Sequence, residues 1–161
     1  MANRFEALLT TLEENKVEFI LIGGVAANLH GSGRATFDLD LLYARSGRNF
    51  SAIVSALGPL NPYLRDAPPG LPFRFDEKTL GNGLNFTLTT SLGDLDLLGE
   101  VVGGGIYEAI LPGSILIEIN SMQIRCASLE QLIALKSAAG RPKDFEALAE
   151  LRAIQDERGS N

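Results

Sequence analysis

The chain has 161 residues, 45% hydrophobic and 21% charged, and its 14 Lys+Arg against 20 Asp+Glu give a formal charge of −6. That length suits one domain with a core large enough to need no disulfide or zinc staple, and the acidic balance excludes a protein that coats duplex DNA with a broad basic face. A single cysteine, Cys126, and a single histidine, His30, exclude a disulfide framework, a Cys-rich zinc site and a His-built metal cluster.

The opening Met1-Ala2-Asn3-Arg4 lacks the basic-then-apolar pattern of a secretory leader. The longest apolar stretch, 17–29, is broken by Glu18, two glycines and Asn28, so it cannot span a bilayer. The chain reads as cytoplasmic, with no membrane partner.

Phe5, Leu8, Leu9 and Leu12 fall at helical spacing and predict an amphipathic helix over 3–15. Val17 to Ile22 reads as a buried strand that stops at a Gly23-Gly24 turn, followed by a short helix from Val25 to His30. Gly31-Ser32-Gly33 breaks that helix, and Phe37 to Tyr43 reads as a second strand. A helix from Phe50 to Leu57 closes at Gly58-Pro59. Residues 58–73 hold five prolines and two glycines and read as an irregular loop. Leu84 to Thr90 and Asp94 to Leu98 predict two strands joined at Ser91-Leu92-Gly93, and Ser114 to Asn120 with Met122 to Cys126 predicts a late hairpin. Ser128 is the expected N-cap of a helix reaching Ala139, with Glu130 and Gln131 close behind. Gly140-Arg141-Pro142 ends it, and a last helix runs from Asp144 to Glu157. The order predicts an α/β or α+β mixture around one mixed sheet. We expect one domain over 1–161, with 128–158 as a C-terminal helical part.

The pentapeptide Asp-Leu-Asp-Leu-Leu occurs twice, at 38–42 and 94–98. Side chains alternate along a strand, so Asp38 and Asp40 share one face, roughly 6.6 Å apart at Cα, and Asp94 and Asp96 repeat the arrangement. A lone Asp-x-Asp is more often the solvated face of a half-exposed sheet. Two acidic strands and a preceding Gly-Gly turn favour a cation site instead, because paired carboxylates on apolar strands are costly without positive charge. Mg²⁺ suits such oxygen donors and fills its shell with substrate phosphates. Two such ions about 3.5–4 Å apart would serve an in-line displacement. Gly23 and Gly24, between strand and helix, offer bare amides to an anion, although neither a Walker loop nor a dinucleotide fingerprint is present. His30 reads as a structural hydrogen-bonding residue at a helix end and Cys126 as plain core, while Asp144 could pair with the neighbours of Lys143 or cap the last helix, the cap being favoured.

These residues resemble the nucleotidyltransferase fold of the DNA polymerase β superfamily. The likeness is carried by Ile22-Gly23-Gly24, Ala26, His30-Gly31, Arg34, Thr36 and Asp38-Leu39-Asp40. The stretch from Gly23 to Asp40 is similar to small bacterial minimal nucleotidyltransferases and AbiEii-type toxins, as are Ser128 to Lys136 and Gly140 to Asp144. Together these parts cover about half the chain. The resemblance implies that Asp38 and Asp40 bind metal and that Gly23 and Gly24 lie near nucleotide phosphates. Asp96 matches best as the third carboxylate, with Asp94 its rival on the same face. Lys136, Arg141 and Lys143 would hold the β- and γ-phosphates or the acceptor, and Arg34 would pair with an aspartate or a phosphate. Many active relatives have Gly-Ser where this chain has Gly23-Gly24, which leaves Ser32 as a substitute hydroxyl. The implied reaction is transfer of a nucleoside monophosphate from an NTP such as ATP to an unidentified acceptor (RNA, protein or small molecule), with two Mg²⁺ ions. The resemblance also implies a toxin–antitoxin component as one setting for that reaction; an inactive binding or regulatory partner and an aminoglycoside-type modifier are the alternatives.

Overall fold

The computed structural model describes residues 3–160, with side chains from Phe5 onward. Seven strands form one mixed sheet: β1 (Phe19–Ile22), β2 (Asp38–Tyr43), β3 (Tyr63–Leu64), β4 (Phe86–Thr90), β5 (Gly93–Leu98), β6 (Ile115–Ile119) and β7 (Met122–Cys126). Their order across the sheet is β3-β4-β5-β2-β1-β7-β6, with β2–β5 and β1–β7 parallel and the other neighbours antiparallel. The helices are α1 (Asn3–Glu14), α2 (Gly23–Leu29), α3 (Gly47–Leu57), α4 (Glu77–Asn82), α5 (Tyr107–Ile110), α6 (Leu129–Ala139) and α7 (Phe145–Gly159). None among the described residues is long and apolar enough to cross a membrane.

Local chemistry explains most boundaries. The apolar stripe of α1 buries Phe5, Leu8, Leu9 and Leu12, and the helix lies against α3, β5 and β7. All four residues of β1 are buried, as befits a strand covered on both faces. Ser46 caps α3 by accepting the Asn49 N–H, so this helix starts three residues before the expected Phe50. Ser128 and Gln131 form a capping box on α6, and Gly140 closes it in the left-handed region at φ +61°. Asn120 and Ser121 turn the β6–β7 hairpin with positive φ at both positions.

The central feature is the repeated pentapeptide. Its two copies are adjacent parallel strands with no offset: Asp38 beside Asp94, Leu39 beside Leu95, Asp40 beside Asp96, and so to Leu42 beside Leu98. Leu39, Leu41, Leu95 and Leu97 are fully buried, so the four aspartates share the opposite face of the sheet.

Several expectations need correction. Gly23 and Gly24 are the first turn of α2 rather than a turn before it. Phe37 lies outside β2 and is 83% exposed. Residues 58–73 are not wholly irregular: a 3₁₀ turn at Gly58–Leu60 leads to β3, which pairs with β4 at the sheet edge. The short helices α4 and α5 had no expectation at all, being one or two turns with little periodicity to read.

Truncating a leucine on the core side of the paired strands leaves a cavity that neighbouring strands cannot close. Leu41→Ala should cost about 2–5 kcal/mol in urea denaturation. Phe37→Ala, which removes an exposed ring, should cost less than about 0.5 kcal/mol. Equal costs would contradict the assigned faces.

Candidate active site

Each strand of the repeat contributes from its acidic face. Carboxylate oxygens of Asp38, Asp40 and Asp96 lie within 4.8 Å of one another, a set of hard oxygen donors that a divalent cation could bridge. Asp94 stands outside this group. The register explains the choice: Asp40 and Asp96 are direct neighbours across β2–β5, whereas Asp94 sits beside Asp38 and points toward Arg65.

The electrostatics fit a cation. Burial pushes the Asp40 carboxyl up to about 8, reinforced by the charges of Asp38 and Asp96 and by a hydrogen bond with Asp96, against a smaller opposing pull from Lys136. Asp38 is also raised, first by burial and then by Asp96, with Arg65 opposing. Crowded carboxylates that cannot all ionise are the arrangement a bound divalent ion relieves.

The triad forms part of the lining of an open cleft of about 660 Å³. Gly23 and Gly24, Ser32 and Arg34, and Lys136, Arg141 and Lys143 line the same cleft. Gly23 is at φ +72°, and a Cβ there would come within 2.0 Å of Asp40 Oδ2. Only glycine therefore lets the backbone approach the carboxylate. At Gly24 a Cβ would lie 2.7 Å from Thr36 Oγ1, so the threonine hydroxyl fills the space a side chain would take. Ser32 donates its hydroxyl to Glu150 Oε1 at 2.6 Å, and Glu150 also accepts the Gly33 N–H. Arg34 is half-exposed and forms a 3.7 Å pair with Glu146.

Two of the cleft's cations, Lys136 and Arg141, are held by Asp144, for which the sequence favoured a helix cap over such a pairing. Asp144 makes no capping hydrogen bond to α7. Its side chain, 5% exposed, instead accepts from Arg141 at 2.6 and 3.1 Å and from Lys136 at 3.3 Å. The Arg141 hydrogen bond is the main reason its carboxyl lies below the usual range. His30 lies at the end of α2, its Nε2 2.9 Å from Ala127 O and its Nδ1 3.2 Å from an Arg158 nitrogen. Cys126 is buried, and burial pushes its thiol up to about 12.

Arg65 escaped the sequence reading entirely. It follows β3 inside the stretch read as loop, with no motif to mark it, yet its guanidinium reaches three of the four aspartates: Asp96 at 2.8 Å, Asp94 at 3.4 Å and Asp38 at 3.5 Å.

Gly23→Ala should cost at least about 1 kcal/mol from backbone conformation alone and should displace the Asp40 carboxylate. Thermal denaturation tests it, and an unchanged Tm would contradict the close approach.

A second expectation concerns pH. The folded Asp40 binds its proton up to about 8, against 3.8 for an ordinary aspartate. Without divalent ions its contribution to stability is therefore full below about pH 4 and is lost as pH rises toward 8. Asp144 and Glu150, both lowered, act in the opposite sense and lose their contribution on acidification. Asp40→Asn should flatten the alkaline decline and raise the metal-free Tm at pH 8 by roughly 2–4 °C or more. An equally steep decline in the variant would show that Asp40 is not its source.

Comparison with known proteins bears on the fold. Residues 92–161 match the family described as "Nucleotidyl transferase of unknown function (DUF2204)". No curated protein matches the chain. Among solved structures the chain is similar to the lincosamide antibiotic adenylyltransferase LnuA, lincomycin-bound, at 16% identity and a TM-score of 0.63, covering 96% of this chain and 98% of that one. It is also similar to ANT(2″)-Ia in complex with adenylyl-2″-tobramycin, at 16% identity and a TM-score of 0.56, covering 97% and 95%. A solution structure of the antibiotic-resistance factor ANT(2″)-Ia matches at 17% identity and a TM-score of 0.54, covering 98% and 91%. The fold is the nucleotidyltransferase fold, as the resemblance carried by Gly23 to Asp40 implied.

Proposed function

We propose that this protein is a Mg²⁺-dependent nucleotidyltransferase that moves a nucleoside monophosphate from an NTP to a hydroxyl of a small-molecule acceptor. The observation that carries the reading is the in-register pairing of the two acidic pentapeptides, which gathers Asp38, Asp40 and Asp96 beside a cleft with four cationic side chains, Arg34, Lys136, Arg141 and Lys143, on its lining. The family match over residues 92–161 supports the reaction class. A small acceptor is favoured because the chain covers nearly the whole length of the lincosamide antibiotic adenylyltransferase LnuA, solved with lincomycin, and of ANT(2″)-Ia, solved with adenylyl-2″-tobramycin. The apolar lining from Leu98, Val101 and Val102 beyond Asp96 also offers a surface for a compact ligand.

In this reading Asp38, Asp40 and Asp96 would hold Mg²⁺, which supplies charge neutralisation and Lewis acidity at the phosphates when bound. The residues of the chain do the rest by positioning and electrostatics. Gly23 and Gly24, on the cleft lining, would offer backbone amides to the triphosphate. Lys136, Arg141 and Lys143 face its β- and γ-phosphates, with Lys136 and Arg141 turning from Asp144 to the incoming anion. The acceptor oxygen forms its bond to the α-phosphorus as the bond to pyrophosphate breaks. Asp96 takes or orients the hydroxyl proton, one of its oxygens being fixed by Arg65.

Calorimetric titration of each of the four NTPs, with and without Mg²⁺, tests the site without knowledge of the acceptor. Wild type should bind at least one NTP only when Mg²⁺ is present, and Asp40→Asn should lose that binding by about tenfold or more. A variant that binds Mg²⁺ and NTP as wild type does would overturn the assignment.

A further inference from the structure

The acidic face of the sheet carries a cation of its own. The Arg65 backbone N–H donates to Thr87 O at 2.9 Å, and its Nη2 donates to Leu88 O at 2.7 Å, so both ends of the residue are fastened to β4. The side chain is only 19% exposed. Its Nε is the one buried side-chain polar atom among the described residues that lacks a hydrogen bond, although it lies 3.4 Å from Asp94 Oδ2. Arg65 is absent from the cleft lining. It meets the carboxylates from the β4 side of the sheet, while Gly23 approaches them from the β1 side.

We propose that Arg65 is a resident counter-cation that keeps the aspartate triad a weak site for a free divalent ion, so that the ion is retained together with nucleotide phosphates. This rests on the triad being the metal site described under the proposed function. The guanidinium touches two of the three ligands, Asp38 and Asp96, and also neutralises Asp94, which lies outside the triad. A divalent ion on the same two ligands would sit within a few ångströms of a positive charge in a poorly screened position. Unlike an ion, the guanidinium cannot leave, because its backbone and Leu88 hold it. Loss of the fork would loosen Asp96, which opposes tighter ion binding, but charge repulsion at this range is the larger effect. Phosphates arriving with the ion restore the missing negative charge, so ion and nucleotide bind with positive coupling. The positively charged partner thus selects for the metal–nucleotide complex over the metal alone.

The test uses Mn²⁺ alone as the probe, titrated into wild type, Arg65→Met and Arg65→Lys and followed by the electron paramagnetic resonance of the free ion. Arg65→Met should bind Mn²⁺ at least about tenfold more tightly than wild type, and Arg65→Lys, which keeps the charge, should stay within about threefold of wild type. Adding Asp40→Asn to Arg65→Met should abolish the gain. The proposal is overturned if Arg65→Met binds Mn²⁺ no more tightly than wild type, or if the gain survives loss of Asp40. Should Arg65→Met fail to fold, Asp94→Asn gives the converse reading: releasing the guanidinium from Asp94 should weaken Mn²⁺ binding, and unchanged affinity would overturn the proposal. Titration of ATP with Mn²⁺ separates the two readings. If no NTP binds wild type while Arg65→Met still gains Mn²⁺ affinity through Asp40, the nucleotidyltransferase reading and the coupling to nucleotide fail, and only the weakening of the triad by Arg65 stands.

Discussion

Parallel pairing of two identical pentapeptides without offset is the constraint on which the rest of the molecule depends. Alternation sends four leucines into the core and four aspartates to the other face. Core and site are therefore specified by the same hydrogen-bond register, and a slip by one residue would exchange them. The leucines secure the register, because any one-residue shift would bury carboxylates and expose apolar side chains. Tight packing on one side of the sheet is thus what permits the accumulation of like charge on the other.

That accumulation is balanced internally at two places. Arg65 faces Asp38, Asp94 and Asp96 from the β4 side, and Asp144 ties Lys136 and Arg141 together on the other wall of the cleft. Each wall thus keeps a partner of opposite sign, which limits the repulsion within each cluster of like charges. The two differ in exposure. Arg65 is anchored to a backbone carbonyl of the sheet and only 19% exposed, while Arg141 is half-exposed.

Much of this was legible in the sequence because it is written in local periodicity and turn chemistry. The stripe of Phe5, Leu8, Leu9 and Leu12, the alternation in 38–42 and 94–98, and the Ser128 cap each report their own element. The fold itself was implied by the family resemblance that Gly23-Gly24 and Asp38-Leu39-Asp40 carry. What stayed hidden depends on contacts between distant segments. Two residues of β3 carry too little pattern to separate from a proline-rich loop, so Arg65 could not be joined to Asp96, 31 residues away. Asp94 and Asp96 share a face in sequence terms, and only the pairing of Asp96 with Asp40 separates them. Asp144 stands where a cap belongs, and its choice of Lys136 and Arg141 is made by the packing of α6 against α7.

The contact between Gly24 and Thr36 has a consequence for how this fold varies. A β-carbon at 24 and the hydroxyl of residue 36 compete for one volume, 2.7 Å apart where van der Waals contact needs more. The two positions are therefore not independent: a chain that gains a side chain at the first must give up bulk at the second, or turn it away. Across proteins sharing this architecture, the pair should covary as a trade of volume between a helix start and the approach to an acidic strand. The glycine at 24 is thus a packing requirement set by a threonine twelve residues downstream, whose hydroxyl donates to Asp38 O.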